Sequence, residues 1–310
     1  MTPRLPAYHS PQPGRGAAPQ PAPRVAVVVP TRDRPRSLAR CLRALERQTA
    51  EPYEVIVVDD GSAHPEAVRA AVGERTVVRL VRNPGTGPAA ARNAGARATS
   101  APYVCFTDDD CEPGAEWIAR LVAALEQGAD VVAGPTVNAR PTDPLATASQ
   151  AVCDHLAEAT LDHSSGRIGF ASSSNLACRA TVLAVVPFAE RFPSAAGEDR
   201  DWCARVADAG HALVFEPAAA VAHHQELSLA RFCRQHVRYG NGAHRFRRGR
   251  RSGRRLEPAG FYLGLLRRGF DLGPAVGLLV FAAQLATAVG LGGEALRARL
   301  RRSSTVVKRY

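Results

Sequence analysis

The sequence predicts an α/β fold with a mostly parallel sheet covered by helices on both faces. Two observations support this class. Short apolar runs rich in Val alternate with amphipathic helical segments from Arg24 to about residue 135. Polar turns that contain Asp, Gly or Pro separate these runs from the helices. Beyond about residue 140 the alternation loosens, and other elements are expected there.

Four strand–helix units follow one another in chain order. The first pairs the strand RVAVVVP with the helix RSLARCLRALERQ, and the second pairs YEVIVVDDGS with EAVRAAV. The third pairs TVVRLVRN with GPAAARNAGARAT, and the fourth pairs PYVCFTDDD with AEWIARLVAALEQ, before a last strand in ADVVAGP. In open sheets of this kind, ligands bind outside the carboxyl ends of the strands. The turns at residues 31–34, 59–62, 83–87 and 108–110 are therefore expected to meet at one edge.

The next part of the chain is predicted to mix helices with short strands. The segment PLATASQAVCDHLAEA predicts a helix, HSSGRIGFASSSNLACRA a loop with a short strand, and GEDRDWCARVADAG a helix with an acidic start. Gly210 is expected to end that helix. HALVFEPAAAVAHH then predicts two short strands around a proline turn, and a helix starting at SLARFCRQ runs into an arginine-rich stretch.

Composition and charge divide the chain into three parts. Residues 1–23 are rich in Pro, Gly, Gln and Ala, which predicts a disordered tail. Residues 24–240 carry the strand–helix pattern and are predicted to form the main domain. Residues 241–310 are predicted to form a basic and apolar helical extension. The charge is uneven, because residues 231–310 hold 18 basic and 3 acidic side chains, whereas residues 1–230 hold 22 basic and 26 acidic ones.

The extension is predicted to associate with a membrane surface. Residues 272–292 contain no charge and are long enough to span a bilayer, although they are only weakly apolar. Arginines on both sides suit an anionic cytoplasmic leaflet, and they leave open whether this segment spans the membrane or lies on it. A packed pair of C-terminal helices is the alternative. No nucleic-acid partner is expected, because the tail lacks aromatic residues interleaved for base stacking.

The body of the protein is expected in the cytoplasm, at the inner face of the cell membrane. The N-terminus lacks the charged-then-apolar pattern of a signal peptide. The seven cysteines are scattered, with neither a C-x-x-C pair nor the Cys/His spacing of a zinc site. They are therefore predicted to be reduced and mostly buried.

The most informative chemical signal is the run of three aspartates in VCFTDDDCEP. Adjacent carboxylates repel one another unless water or a cation compensates them. Asp108 and Asp110 can face one side of an extended segment, with Asp109 turned away. Hard oxygen ligands of this kind suit Mg²⁺ or Mn²⁺, which would stabilise a departing diphosphate. A solvated acidic turn is the alternative, and the apolar residues around the run fit it poorly.

Other strand and helix ends carry weaker signals. Asp59 and Asp60 end the second strand, where a carboxylate can accept hydrogen bonds from a base or ribose, or can simply face solvent. Two glycines precede the third helix, whose N-terminus suits a phosphate, although a tight turn explains them equally well. Glu198 and Asp199 begin a helix, either as capping carboxylates or as a general base.

In combination, these segments resemble family-2 glycosyltransferases of the GT-A fold. The resemblance rests on the order and spacing of VVVPTRDRP, EVIVVDDGS, GPAAARNAGA, FTDDDCEP, ASSSNLACRA and GEDRDWCARV, over about residues 24–240. It implies an inverting, Mn²⁺- or Mg²⁺-dependent transfer of a sugar from a nucleotide-diphosphate sugar to an acceptor hydroxyl. A lipid-linked or cell-envelope glycan acceptor is the accompanying hypothesis. The alternative is a nucleotidyltransferase-like or nucleotide-sugar-binding protein, but PTRDRPRS lacks the glycine expected in a nucleotidyltransferase loop.

The resemblance also implies a role for each motif residue. Asp199 would be the catalytic base with Glu198 beside it, and the metal ligands would be Asp108, Asp110 and either His223 or His224. The residues that would contact or adjoin the nucleotide are Pro30, Thr31, Arg32, Asp59, Asp60, Arg92, Asp108 and Asp109. The acceptor side would be formed by Ser173, Ser174, Asn175 and Trp202.

Overall fold

The computed structural model describes residues 22–50, 53–192, 196–249 and 256–307. The predicted tail, residues 1–23, lies outside this part except for its last two residues. The arginine-rich stretch is described only up to Gly249.

The first half of the chain alternates strands and helices as predicted. Its elements are β1 (Val25–Thr31), α1 (Pro35–Leu45), β2 (Tyr53–Asp60), α2 (Pro65–Val72), β3 (Val78–Asn83), α3 (Pro88–Arg97), β4 (Tyr103–Thr107), β5 (Cys111–Pro113) and α4 (Trp117–Glu126). The first three helices each begin with a proline, whose fixed φ favours the first helical turn. The valines of β1 and β2 are buried on both faces of the sheet, as a central parallel strand requires.

The second half contains shorter strands and longer helices. Its elements are β6 (Val131–Ala133), β7 (Thr136–Asn138), α5 (Pro144–Glu158), β8 (Leu161–Asp162), β9 (Arg167–Ile168), β10 (Asn175–Arg179), α6 (Ala180–Val185), α7 (Glu198–Asp208), β11 (Leu213–Phe215), β12 (Val221–His223), α8 (Leu229–Gly249), α9 (Ala259–Asp271) and α10 (Pro274–Val307). Helix α7 ends before Gly210, which has a left-handed φ of 85° as a C-terminal glycine should.

A nine-stranded sheet forms the centre, in the order β3-β2-β1-β4-β10-β6-β11-β9-β8. Strands β1 to β4 are parallel, whereas β10 runs antiparallel to both β4 and β6. A separate three-stranded sheet, β5-β12-β7, has no counterpart in the sequence prediction. It matters for the site, because β12 pairs His223 with Cys111 and so brings the histidines beside the aspartate run.

The register of the parallel strands gathers their carboxyl ends at one edge. Thr31 pairs with Asp59 across β1 and β2, and Asp60 pairs with Asn83 across β2 and β3. The polar residues that follow these strands are therefore neighbours, as the alternating pattern predicted. All seven cysteines are free, and five of them are buried.

Helices α8, α9 and α10 pack on α5 through one apolar cluster. Its buried members are Ala148, Ala151, Phe232, Leu265, Val276, Val280 and Ala283. Helices α8 and α10 approach most closely at two glycines. A β-carbon on Gly240 would lie 2.0 Å from the carbonyl oxygen of Thr287, and one on Gly290 would lie 2.0 Å from that of Val237. Helix α8 runs through residue 240 without a break, so the predicted boundary between residues 240 and 241 falls inside a helix.

Helix α10 has one buried and one exposed face. Within the described residues it is the one helix long and apolar enough to cross a membrane, over Pro274–Leu300, with a mean hydropathy of 1.9. Leu278, Val289 and Leu296 are 64%, 67% and 58% exposed. They are 11 and 7 residues apart, close to three and two turns, so they lie on one face. This apolar stripe of α10, defined by these three residues, faces away from α8.

Candidate active site

The three aspartates form a tight turn between β4 and β5. The N–H of Cys111 donates to the carbonyl oxygen of Asp108 at 3.1 Å and closes it. The expected extended segment is therefore a turn, although Asp109 does turn away from its neighbours. Its carboxylate is fully buried and accepts a hydrogen bond from the Thr31 hydroxyl at 2.7 Å. The assignment of Asp109 to nucleotide contact is thus corrected, because Asp109 anchors the turn to β1 from inside.

Two arginines compensate the charge of this turn. The Arg34 guanidinium lies 2.6 Å from Asp110 and 3.3 Å from Asp109. The Arg92 guanidinium, only 3% exposed, donates to Asp108 at 2.9 Å. Cations on both sides therefore offset the repulsion among the three adjacent carboxylates.

The surroundings shift the pKa values of Asp109 and Asp110 in opposite directions. Burial raises the pKa of Asp109 to about 7, although Arg34 opposes the shift. Burial also opposes ionisation of Asp110, but His223 and Arg34 outweigh it and hold the Asp110 pKa well below its usual range. The turn therefore presents an ionised Asp110 carboxylate at the cavity, which is the form that a metal ion binds.

The two histidines after β12 have different partners. The His223 ring lies 3.5 Å from the Asp110 carboxylate, whereas the His224 ring lies 2.8 Å from Glu112. Burial lowers the pKa of His223, but the contact with Asp110 raises it more. Burial and Arg40 lower the pKa of His224. The geometry thus gives the position beside Asp110 to His223, and it places His224 on the Glu112 side.

The residues around Asp110 fit a hard divalent cation. Ligand atoms of Asp110, Cys111 and His223 lie within 4.8 Å of one another. Burial raises the pKa of the Cys111 thiol well above its usual range. Sulfur is moreover a soft ligand, which hard cations do not prefer. Asp108 lines the same cavity. Two carboxylates and one imidazole suit Mg²⁺ or Mn²⁺ better than a soft metal.

The start of α7 supplies two further carboxylates with different environments. Glu198 is 2% exposed, accepts a hydrogen bond from the N–H of Ala196 at 2.7 Å and lies 3.2 Å from Arg92. Asp199 is more exposed, accepts a hydrogen bond from the Ser173 hydroxyl at 2.7 Å and lies 3.8 Å from Arg92. Burial raises the pKa of both groups, to about 7 for Glu198. Asp199 is therefore the more accessible of the two carboxylates, and Glu198 holds the start of the helix.

Most of the predicted nucleotide residues make internal contacts at the strand ends. Asp59 accepts a hydrogen bond from the N–H of Ser62 at 2.9 Å and pairs with Arg82. Asp60 accepts hydrogen bonds from the N–H groups of Thr86 and Gly87, and so holds the glycine turn before α3. Pro30 is half-buried in β1, and Arg32 is exposed beside Asp33. Nucleotide contact by the sequence-predicted residues remains a prediction.

The predicted acceptor residues divide into two groups. Ser173 orients Asp199, and Ser174 lines the cavity. Asn175 is buried between Trp117, Pro135 and Ala219, to which all its described side-chain hydrogen bonds go. Trp202 is buried against Phe188, with ring centroids 4.9 Å apart, and donates to the carbonyl of Val186 at 2.7 Å. The assignment of Asn175 and Trp202 to the acceptor side is therefore corrected, because both are core residues.

A cavity of about 1470 Å³ joins these groups to the C-terminal helices. Its lining includes Asp108, Asp110 and Asp199 as well as residues of α8, α9 and α10. The sequence prediction missed Arg34, which stands among several arginines that the sequence alone does not distinguish. It also missed Arg231 and Arg234 of α8, for the same reason.

Known proteins similar to this chain support one family. The family described as glycosyl transferase family 2 matches residues 26–182. The pre-mycofactocin glycosyltransferase of Mycobacterium tuberculosis is 31% identical over 227 residues, which is 71% of this chain and 46% of that protein. The undecaprenyl-phosphate 4-deoxy-4-formamido-L-arabinose transferase of Serratia proteamaculans is 35% identical over 131 residues, or 40% of each chain. This chain therefore matches less than half the length of these two relatives.

One solved structure is similar over nearly the whole chain. It is the mannosyltransferase PcManGT from Pyrobaculum calidifontis in complex with GDP-Man and Mn²⁺, with a TM-score of 0.57 and 20% identity. The similarity covers 97% of this chain and 85% of that one, and it supports the fold. The family match and the sheet order agree with the sequence prediction, and we conclude that the chain belongs to glycosyl transferase family 2 and has the GT-A fold.

Proposed function

We propose that this chain is an inverting glycosyltransferase that moves a sugar from a nucleotide-diphosphate sugar to an acceptor hydroxyl. The observation that carries the proposal is the shared contact of Arg92, which lies 2.9 Å from Asp108 and 3.8 Å from Asp199. The proposed base and one proposed metal ligand thus lie on either side of the buried Arg92 guanidinium. The relatives named above are transferases, and the Pyrobaculum protein was solved with GDP-Man and Mn²⁺, which supports such a donor.

The proposed reaction is a single displacement at the anomeric carbon. Asp199, oriented by Ser173, accepts the proton of the acceptor hydroxyl. The acceptor oxygen forms a bond to the anomeric carbon while the bond from that carbon to the diphosphate oxygen breaks on the opposite face. The electron pair leaves with the nucleoside diphosphate, and the anomeric configuration inverts. No covalent enzyme intermediate is needed.

Asp108, Asp110 and His223 would hold a divalent cation, Mn²⁺ or Mg²⁺. When bound, this cation neutralises charge on the departing diphosphate. Arg34 is half-exposed beside Asp110, so its guanidinium can contact the same diphosphate. Arg92 holds Asp108 in position from the opposite, buried side.

Nucleotide binding is expected to depend on Mn²⁺ and on Asp110. With Mn²⁺ present, one of UDP, GDP or dTDP should raise the Tm of the wild type, because a ligand at 100 times its Kd stabilises the folded state by about 2.7 kcal/mol. The Asp110→Asn variant should lose the part of the Tm increase that Mn²⁺ provides. Thermal melts with and without the metal measure both effects.

Glu112→Gln is the matched control for this experiment. Glu112 lies two residues from Asp110, but it does not line the cavity, and its carboxylate contacts Arg40 and His224. It should therefore keep the Mn²⁺-dependent increase. A wild type whose Tm does not respond to any of the three nucleotides with Mn²⁺ would contradict the proposed function.

We further propose that the acceptor is a lipid-linked or cell-envelope glycan and that the protein works at the cytoplasmic face of a membrane. In this proposal residues 24–240 are the catalytic domain and residues 241–310 the membrane-associated extension. The name of the Serratia relative includes undecaprenyl phosphate, a lipid carrier. The stripe of α10 is apolar and exposed, while its other face packs on α8. Because α8 packs on α10, insertion of α10 across a bilayer would move the exposed arginines of α8 toward the hydrocarbon region. We therefore propose that α10 lies on the membrane surface.

Charges placed on the stripe of α10 are expected to prevent membrane binding. Wild-type protein should float with vesicles of phosphatidylcholine and phosphatidylglycerol in a density gradient. The triple variant Leu278→Glu, Val289→Glu and Leu296→Glu should remain in the dense fraction, because it opposes apolar burial and adds repulsion from anionic lipid.

A matched control places the same three charges elsewhere. Val77, Val137 and Val185 are exposed by 40%, 52% and 71% on the main body. Their triple glutamate variant should float as the wild type does. If both triple variants float equally well, or if the wild type does not float, the membrane proposal is wrong.

A further inference from the structure

The cavity is larger than a donor site requires. Small-molecule sites usually measure roughly 300–1,000 Å³, whereas this cavity measures about 1470 Å³. The lining residues Asp108, Asp110 and Asp199 account for the sugar donor under the proposed function. The part of the cavity lined by α8, α9 and α10 is therefore available for a second ligand.

Three arginines on α8 line this part of the cavity. Arg231, Arg234 and Arg238 are spaced by three and four residues, which places them on one face of the helix. All three are exposed and line the cavity. Within the described residues, none of the three guanidinium groups forms an ion pair or a hydrogen bond. We call them the α8 arginine row.

Two other arginines, Arg200 and Arg245, are different, because carboxylates already neutralise them. Arg200 pairs with Glu257, and Arg245 pairs with Glu294 at 3.1 Å. The α8 arginine row thus presents positive charge that the described part of the chain does not compensate. Guanidinium groups with this spacing favour an anion with several oxygens, such as a phosphate.

The same cavity also has an apolar wall. Leu266 of α9, together with Phe281 and Leu285 of α10, lines the same cavity. Phe281 and Leu285 are 50% and 53% exposed, and they lie on the same side of α10 as Leu278. The lining of the cavity therefore includes both guanidinium groups that can bind a phosphate and apolar surface that continues onto the proposed membrane-binding face.

We infer that the α8 arginine row binds the phosphate linkage of a lipid-linked acceptor, whose hydrocarbon chain lies along the apolar wall. This inference rests on the proposed function and names its acceptor subsite. An acceptor sugar attached to that phosphate then extends toward Asp199 in the same cavity. The row adds affinity for the acceptor and does not contact the donor.

Isothermal titration calorimetry with three soluble probes tests the subsite: farnesyl phosphate, farnesol and inorganic phosphate. We expect wild-type protein to bind farnesyl phosphate more tightly than either other probe, because only that probe engages both the arginines and the apolar wall. The double variant Arg234→Gln and Arg238→Gln should weaken farnesyl phosphate binding by roughly tenfold or more. Arg248→Gln changes an exposed arginine of α8 that does not line the cavity, and it should leave binding unchanged.

Nucleotide affinity measured on the same proteins separates this inference from the proposed function. The double variant should keep the Mn²⁺-dependent Tm increase of the wild type. If it loses nucleotide affinity instead, the arginines serve the donor and the inference is overturned. Equal affinity for farnesyl phosphate and inorganic phosphate would also overturn it, since the apolar wall would then contribute nothing. A wild type that binds farnesyl phosphate but no nucleotide would overturn the proposed function and leave the lipid-phosphate subsite standing.

Discussion

Replacement of Asp199 by Asn is expected to lower the turnover number by about 10²–10⁴-fold, the usual contribution of a general base. Asn keeps the size of the side chain and can still accept the hydrogen bond from Ser173, but it cannot take a proton from the acceptor hydroxyl. Donor binding should survive, because Asp108, Asp110 and His223 are unchanged. Release of nucleotide from a panel of nucleotide sugars, together with the Mn²⁺-dependent Tm increase, measures both quantities.

Two further variants test whether the loss of turnover is caused by the loss of the base. Ser173→Ala removes the hydrogen bond that orients Asp199 and should lower turnover less than Asp199→Asn does. Glu112→Gln makes the same carboxylate-to-amide change outside the cavity and should have little effect on turnover. Turnover in Asp199→Asn within a factor of three of wild type would assign the base to another residue.

Replacement of Arg92 by Met is expected to lower the free energy of unfolding more than any other substitution named above. Arg92 lies within 4 Å of Asp108, Glu198 and Asp199, and removal of one partner from a buried ion pair costs about 3–5 kcal/mol. The free energy of unfolding, from urea titration, should fall by that amount, and activity should be lost as the start of α7 moves. Arg120→Met is the control, since its exposed pair with Glu116 should contribute less than about 1 kcal/mol.

The cause of this loss can be tested by a second substitution. If an uncompensated charge on Glu198 is responsible, Glu198→Gln in the Arg92→Met background should restore part of the stability, since the two sites are coupled. A double variant no more stable than Arg92→Met would show that the packing of the guanidinium, and not its charge, is what matters.

The effect of Arg92→Met should also depend on pH. Burial raises the pKa of Glu198 to about 7 in the folded protein, whereas an unfolded glutamate titrates near a pKa of about 4.3. Between these values the folded state binds more protons than the unfolded state, so stability falls as the pH rises. Loss of Arg92 raises the folded pKa further. The difference in stability between Arg92→Met and wild type should therefore be larger at pH 8 than at pH 5.

The first half of the fold was predictable from the sequence because each strand there is long and apolar. β1 and β2 have seven and eight residues, enough to distinguish a buried strand from a turn. The second sheet was not predictable, because β5 and β7 have three residues each and show no usable periodicity. β12 was predicted as a short strand, but three residues do not reveal its partners. Its strands pair residues distant in sequence, and only tertiary contacts bring them together.

The site was predictable where charge had to be explained. The aspartate run and the acidic start of α7 required partners, and the structure supplies Arg34 and Arg92. The choice between His223 and His224 depends on which way two adjacent side chains point, and neighbours along a strand alternate in direction. Asn175 and Trp202 were misassigned because their motif position says nothing about burial, which depends on residues from other elements.

The close contact of α8 with α10 at Gly240 and Gly290 restricts how this chain can change in evolution. Either glycine could be replaced only if the opposite backbone moved, so the two helices must vary together. Exchange of the C-terminal segment between relatives would therefore succeed only if α8 were exchanged with it. A recombination junction at residue 240 would take the two glycines from different parent proteins. A junction before Leu229 would keep both glycines and the α8 arginine row in one segment.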